Sequence, residues 1–272
     1  MKIGNYDFDF EHKSYIMGIL NITPDSFSDG GSYQTMDAAL YQAEKMVKEG
    51  AAIIDIGGES TRPGHEKISD DEEIERVAPV IEAVRSRIDI AISLDTYKYR
   101  VAEAGLLAGA DMINDIWGLL WDEGEMAALL AKKEVPCCLM HNRHDAGSYQ
   151  NFLPDFRGDL EKTLSVAEAA GIKKDRIILD PGIGFGKTYE QNLLVMKNLH
   201  LLRHFGLPVL LGTSRKSMIG NALDLPVTER EEGTMATTVI GRMAGVSVFR
   251  VHDVKTNLRA LRMTDAILEA DR

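Results

Sequence analysis

Eight short apolar runs recur through the 272 residues, and nearly every one ends in a polar or charged side chain that a buried strand has no reason to carry. They cover residues 15–20 ending at Asn21, 51–56 leading to Glu59-Ser60-Thr61-Arg62, 90–94 ending at Asp95, and 112–113 ending at Asn114-Asp115. The remaining four are 135–140 ending at His141, 177–179 ending at Asp180, 207–211 leading to Ser214-Arg215-Lys216, and 246–249 followed by Arg250, Val251 and His252. Stretches with helical spacing alternate with them, at 37–49, 70–87, 97–108, 124–133, 160–170, 189–204, 229–244 and 254–270. Runs of Val, Ile and Leu that do not alternate suit parallel strands covered on both faces. Eight strand-helix units predict an α/β fold, a single (β/α)8 TIM barrel, whose reactive groups sit at the C-terminal strand ends. The polar endings fall where such a barrel places its site. A doubly wound open sheet remains an alternative, because strand order cannot be read from one sequence.

Residues 1–14 stand apart. Tyr6, Phe8 and Phe10 alternate with Asp7 and Asp9, the period of a half-buried strand, and are read as a plug for the bottom of the barrel. No linker or low-complexity segment divides the chain, so residues 1–272 are read as one domain. With 31 basic against 42 acidic side chains the net charge is -11, which argues against nucleic-acid or anionic-membrane binding. The apolar runs are too short to span a membrane and residues 1–5 lack a signal-peptide core, so a cytoplasmic location is expected. Cys137 and Cys138 are adjacent in an apolar run, as buried reduced thiols would be.

Three segments combine glycine, charge and hydroxyl groups. Residues 21–31, Asn-Ile-Thr-Pro-Asp-Ser-Phe-Ser-Asp-Gly-Gly, could read as a turn alone, while 23–32 and 57–67 are Gly-rich connections expected to be mobile loops on the catalytic face. Residues 180–188 resemble a nucleotide P-loop but fail its pattern, since Pro181 stands where the first glycine belongs. What remains is a loop permitting close backbone approach to a ligand, with Asp180 at its base. Residues 212–217 leave a strand and enter a helix, where unpaired N–H groups attract anions, and at least one of Arg215 and Lys216 is expected in the mouth. Arg250 and His252 share a strand face and could cradle a phosphate, although Asp253 also reads as an ordinary helix cap.

Asp95 and Asp180 close apolar runs, so each requires a partner. That partner is either Lys216 or a backbone amide, or else a ligand rich in N–H donors, such as an aminopyrimidinone ring, engaged by Asp95, Asn114 and Asp180 together. Glu59 and Asp115 read as network or capping residues. The histidines outside the 250–253 segment show no metal-ligand spacing.

Taken in order, residues 20–31, 58–64, 114–115, 180–187, 213–217 and 250–253 closely resemble the bacterial dihydropteroate synthase family, essentially from end to end. The resemblance implies a TIM barrel and a folate-pathway transferase that joins 6-hydroxymethyl-7,8-dihydropterin diphosphate to p-aminobenzoate, hence a sulfonamide target. It implies that Asp95, Asn114, Asp180 and Lys216 hold the pterin, and that Asn21, Thr61, Arg62, Arg250 and His252 hold the diphosphate, with Asn21 also reaching Mg²⁺. It further implies that Thr61, Pro63, Phe27, Phe185 and Ser217 shape the aminobenzoate pocket, that Asp29 orders the first loop, and that two copies pair through the last two helices, where Met235, Val239, Met243, Leu258, Leu261 and Ile267 supply apolar positions. Asp95, Asp180, Lys216, Arg250 and Asn21 would carry the chemistry. Two departures stand out: 140–147 replaces a usual Gly-Thr-Pro turn, and Met218 replaces a common phenylalanine, expected at the pocket rim. A pterin-binding methyltransferase has no diphosphate to expel, so Arg62, Arg250 and His252 argue against it. A noncatalytic pterin-binding paralogue would lack anion or loop residues that are present here.

Overall fold

Period-two alternation inside each apolar run decides the architecture. In β4 (Ile53–Gly57) the side chains of Ile54 and Ile56 join the core that faces the helices, while Ile53 packs into a separate inner cluster. The computed structural model describes residues 1–22, 32–60 and 67–270, with only the backbone for 32–35. The barrel strands are β3 (Tyr15–Asn21), β4, β5 (Ala91–Asp95), β6 (Met112–Asp115), β7 (Cys137–Met140), β8 (Ile177–Asp180), β9 (Leu210–Leu211) and β10 (Val248–Val251). Each pairs in parallel with its sequence neighbour from β3 to β8, and β10 lies between β9 and β3. A parallel bridge between Leu179 and Val209 joins β8 to β9 and closes the ring. Closure rules out the open doubly wound sheet.

The helices are α1 (Ser32–Glu49), α2 (Asp70–Arg87), α3 (Tyr99–Ala108), α4 (Glu125–Lys133), α5 (Phe152–Ala170), α6 (Tyr189–Lys197), α7 (Ser217–Leu223), α8 (Glu231–Met243) and α9 (Val254–Leu268). Local chemistry sets several boundaries. Ser69 accepts the Glu72 N–H at 3.2 Å and four acidic residues follow in the first turn of α2; Thr188 and Gln191 form a capping box on α6. The helical run expected over 189–204 breaks at Asn198, and residues Leu199–Phe205 form a 3-10 segment. The short α7 follows β9 as an addition to the eight-fold alternation. None of the helices among the described residues is long and apolar enough to cross a membrane.

The inner cluster contains one residue from every barrel strand: Met17, Ile53, Ala91, Met112, Cys138, Ile178, Leu210 and Val248. Ile3 and Phe8 complete it from below. The plug expected from the first fourteen residues is therefore present, but its form differs. It is a tight hairpin in which β1 (Lys2–Ile3) pairs antiparallel with β2 (Tyr6–Asp7), and Phe8, still bonded to Met1 through both backbone groups at 2.8 Å, turns its ring inward. Cys137 and Cys138 are buried free thiols on opposite faces of β7, in the outer and inner clusters.

Candidate functional site

Two residues beyond the inner apolar layer, the same inward face turns polar, because a strand returns to one face every second residue. Asp55 on β4, Ser93 on β5, Asn114 on β6, Asp180 on β8 and Arg250 on β10 occupy this level, and Asp95 and Asn21 end their strands one step higher. The first four are buried, as is Asp95. Two glycines border this level: a Cβ on Gly212 would lie 3.9 Å from both Arg250 and Asp180, and one on Gly57 would lie 3.7 Å from both Asn21 Oδ1 and Asp95 Oδ2.

Arg250 is the hub. Its Nε donates to Asp55 Oδ2 at 2.5 Å and its Nη2 donates to Asp95 Oδ2, while Asn114 Nδ2 donates to Asp55 Oδ2 at 3.2 Å. Burial opposes the guanidinium charge, yet Asp55 and Asp95 outweigh it and hold Arg250 further into the cationic range. Burial pushes Asp95 up to about 7 against the pull of Arg250. Asp180 is also pushed upward by burial, although Lys216 and the Gly182 N–H, which it accepts at 2.7 Å, both favour its charge. Burial pulls Lys216 down to about 8, with Asp180 opposing. The Lys216 ammonium donates to Ile183 O and sits 4.3 Å from the centre of the Phe185 ring.

Asp55 Oδ1, Asp95 Oδ1 and Ser93 Oγ are buried and have no hydrogen-bond partner among the described residues. Buried acceptors without donors are costly, and three in one place mark a surface built to receive N–H groups. Ile116, Met140, Tyr97, Trp117 and Phe185 form an apolar cluster beside them. The arrangement suits a flat ring, polar at its edge and apolar on its faces.

Among the residues singled out from the sequence, Asp95, Asn114, Asp180 and Lys216 converge as expected, and Asn21 stands across Gly57 from Asp95. Lys216, not Arg215, enters the mouth; Arg215 is an exposed residue 3.7 Å from Glu231. Ser217 is exposed at the first turn of α7. His252 meets Ser214: Ser214 Oγ accepts the His252 backbone N–H at 3.2 Å and lies 2.9 Å from Nδ1. Arg250 shares a strand face with His252 but turns into the barrel, where its Nε and Nη2 are engaged by Asp55 and Asp95. Phe27, Asp29, Thr61, Arg62 and Pro63 lie outside the described residues. Met218 is not at the pocket rim; it is buried in the core facing the helices, where a flexible thioether fills space. The glycines of 180–187 do permit close backbone approach, but at Gly182 and Gly186 the approach is to the protein's own chain: a Cβ there would lie 1.9 Å from His141 O and 2.4 Å from Arg143 O.

Asp55, Ser93 and Ser214 were not singled out from the sequence. Asp55 had a readable signal, a charge in the middle of Ile-Ile-Asp-Ile, which no buried strand tolerates without a partner. Glu59 and Asp115 are network and capping residues as expected. Glu59 accepts from Tyr97 OH at 2.8 Å and from Lys98 Nζ at 2.6 Å, and Asp115 accepts the N–H groups of Trp117 and Leu119 at 2.8 and 2.7 Å.

Comparison with known proteins agrees with this geometry. Residues 17–252 match the family described as pterin binding enzyme. The chain is 57% identical over 269 residues to the dihydropteroate synthase of Clostridium beijerinckii, covering 98% of this chain and 99% of that one. It superposes on the crystal structure of a dihydropteroate synthase from Clostridium difficile in the presence of pteroic acid with a TM-score of 0.93 and 49% identity, covering 96% and 99% of the two chains. It also superposes on the Yersinia pestis dihydropteroate synthase in a sulfonamide drug complex, with a TM-score of 0.91, 41% identity and 98% of each chain covered.

Proposed function

We infer, because the chain belongs to the pterin-binding enzyme family, that it catalyses the dihydropteroate synthase reaction of folate biosynthesis. In that reaction p-aminobenzoate displaces diphosphate from the methylene carbon of 6-hydroxymethyl-7,8-dihydropterin diphosphate. The observation that carries the reading is the group of buried, unpartnered acceptors on Asp55, Ser93 and Asp95 beside Asn114, Asp180 and Lys216. An aminopyrimidinone edge supplies the N–H donors these atoms lack. The Clostridium difficile relative was crystallised in the presence of pteroic acid, a pterin joined to p-aminobenzoate, which supports a pocket for both substrates.

Breaking the bond between the methylene carbon and the diphosphate oxygen leaves positive charge on the pterin and negative charge on the leaving group. Three carboxylates, Asp55, Asp95 and Asp180, line the pocket against two cations, Arg250 and Lys216, so the ring's developing positive charge meets a preorganised anionic wall. Lys216 donates toward the ring's oxygen edge. Asn21, Thr61, Arg62, Arg250 and His252 take the diphosphate, with Ser214 Oγ, 2.9 Å from His252 Nδ1, orienting the imidazole. Thr61, Pro63, Phe27, Phe185 and Ser217 shape the aminobenzoate pocket, and Asp29 orders the first loop. The arylamine is neutral and nucleophilic near pH 7, so no strong general base is needed.

Asn21 offers one amide oxygen, and among the described residues no three His, Cys, Asp or Glu side chains gather to hold a metal. That donor set fits Mg²⁺, which accepts a single protein ligand when phosphate oxygens and water complete its octahedron. When bound, the ion neutralises charge on the departing diphosphate. We assign the enzyme to the cytoplasm and to a homodimer through α8 and α9, where Ile240, Met243, Met263, Ile267 and Leu268 are exposed. Of the positions expected from the sequence, Met243 and Ile267 are available for such contact, while Leu261 belongs to the core.

The test is diphosphate release by the purified protein with Mg²⁺ and the pterin diphosphate, with and without p-aminobenzoate, with chromatography of the product. Release coupled to dihydropteroate supports the reading. Pterin binding with neither release nor product points to a noncatalytic binding protein.

A further inference from the structure

Behind Phe185, the turn from Asp180 to Lys187 is held by side chains for which the reaction has no direct use. Lys187 Nζ donates to Gly182 O at 2.9 Å and to Phe185 O at 3.0 Å, and it lies 2.8 Å from His141 Nδ1. On the far side of the imidazole, Nε2 is 3.0 Å from Asp159 Oδ2. Arg143 grips the same carboxylate through Nε at 2.6 Å and Nη2 at 3.0 Å. One distribution of protons satisfies every atom: the ammonium gives its three hydrogens to Gly182 O, Phe185 O and Nδ1, and the neutral imidazole gives its Nε2 hydrogen to Asp159. A neutral imidazole agrees with burial, which pulls His141 down to about 4 despite Asp159. Burial likewise pulls Lys187 down to about 7, with Asp180 opposing and Lys216 assisting, so the ammonium depends on the acceptors around it.

This lysine ends the segment that resembles a phosphate loop, yet its ammonium faces the protein's own carbonyls. The turn it holds cannot retreat, because Gly182 and Gly186 already press against the backbone of His141 and Arg143. Tyr149 OH adds a bond to Gly186 O at 3.0 Å, and Phe156 packs 4.6 Å from the His141 ring. From the other side Lys216 donates to Ile183 O and rests on Phe185. Two lysines thus hold three carbonyls of one short turn from opposite sides, and the Phe185 ring is presented by that turn.

We propose that Lys187 is a positioning residue for the second substrate: anchored through His141 to Asp159, it gathers the Gly182 and Phe185 carbonyls and so fixes the Phe185 ring as a wall for the aryl group of p-aminobenzoate. The proposal rests on the dihydropteroate synthase reading. It makes Lys187 act on p-aminobenzoate through Phe185, without touching either substrate.

Lys187→Met keeps the length of the stem and removes its donors. The expected result is a KM for p-aminobenzoate raised about tenfold, with kcat and the KM for the pterin diphosphate changed less than about twofold. In a Phe185→Ala background the same substitution should add less than about twofold, because both act through one ring. An unchanged KM for p-aminobenzoate, or full additivity with Phe185→Ala, would overturn the proposal. Should Lys187→Met fail to fold, Asp159→Asn weakens the anchor while preserving shape, with a rise of about threefold that also vanishes without Phe185; an unmoved KM in that variant overturns the proposal equally. A wild-type protein that forms no dihydropteroate sinks the transferase reading and the positioning role together, whereas normal wild-type turnover with an unmoved KM in the variants sinks the positioning role only.

Discussion

Arg250 on β10 and Asp55 on β4, 195 residues apart in sequence, meet at 2.5 Å across the floor of the barrel mouth. The contact exists because closure of the ring places β10 beside β3, with β4 next in line, so a long side chain on β10 reaches across one strand. Asp55 is fully buried, and the second nitrogen of the same guanidinium serves Asp95. One cation therefore compensates two buried carboxylates.

Removing that cation should damage stability and catalysis together. Arg250→Ala leaves both acids buried without compensation, a loss of roughly 3 to 5 kcal/mol in unfolding free energy. Turnover should fall by about a hundredfold or more, since charge stabilisation that grows in the transition state is lost. The Asp55→Asn, Arg250→Met pair should recover much of the stability without recovering turnover. Denaturant titration and steady-state kinetics read the two effects, and strictly additive stability losses in the double variant would show that the contact carries no coupling.

Asp95 gives a pH dependence with a definite sign. Burial lifts its folded pKa from the ordinary 3.8 to about 7, so between those values the unfolded chain has released a proton that the folded protein keeps. Its contribution is a penalty on folding that is absent below about 4, grows with pH to about 7 and is constant above. Asp95→Asn should remove this component of the slope. If Asp95 accepts N–H groups of the pterin as a carboxylate, binding lowers its pKa and releases protons near pH 6 to 7. Calorimetry in buffers of different ionisation enthalpy should detect that release in the wild type and a smaller one in Asp95→Asn; equal proton counts would remove Asp95 from the ligand contact.

The sequence made the scaffold legible because burial on both faces leaves an apolar run wherever a barrel strand exists, and because each run stops at a residue that faces the mouth. Asp95, Asn114 and Asp180 were visible for that reason. Asp55 signals a need for a partner by its place inside an apolar run, but that partner, nearly two hundred residues away, is not legible. His141 was legible as a strand ending but not as part of a chain with Asp159 and Lys187, which depends on the pairing of β7 with β8 that sets α5 and the loop after β8 beside it. The expectation of a close backbone approach to a ligand at 180–188 fell short at Gly182 and Gly186 for a related reason: glycine allows close approach, but nothing in the sequence says to what.

A second buried cation anchors the flank of the mouth. Lys98 Nζ donates to Glu59 Oε2 at 2.6 Å, to Glu73 Oε2 at 2.8 Å and to Ile68 O at 2.8 Å. Burial raises Glu73 even with the lysine present. Lys98→Met should cost roughly 3 to 5 kcal/mol near neutral pH, because two buried acids lose their counter-charge. Glu73, already raised by burial, would rise further, so the loss should shrink as pH falls toward 5. Thermal unfolding of the variant across that range tests the sign; a deficit that is independent of pH would assign the loss to packing.

The plug should matter for stability and little for chemistry. Phe8 closes the inner cluster at the end of the barrel opposite the polar layer, so Phe8→Ala should lower stability by roughly 3 to 5 kcal/mol. Well below the melting temperature, kcat and both KM values should stay within about twofold of wild type. A selective loss of turnover in folded protein would mean that the apolar floor also sets the depth of the ring pocket.

Two exposed apolar side chains allow the proposed dimer to be separated from the active site. Met243 closes α8 and Ile267 lies near the end of α9; these helices pack together, and both side chains are about two-thirds exposed, at 67% and 64%. Exposed apolar groups clustered on one flank are costly in water and favour burial against a second copy. Neither residue reaches the mouth, because α8 and α9 begin at the C-terminal end of the barrel and both residues lie in their last turns, toward the opposite end. Replacing both with glutamate places like charges on each side of a two-fold contact and should raise the dissociation constant at least about a hundredfold. Sedimentation at micromolar concentration should then show a dimer for the wild type and a monomer for the double variant. A wild type that sediments as a monomer at that concentration removes the dimer from the description of this protein, and leaves the chemistry of the mouth untouched.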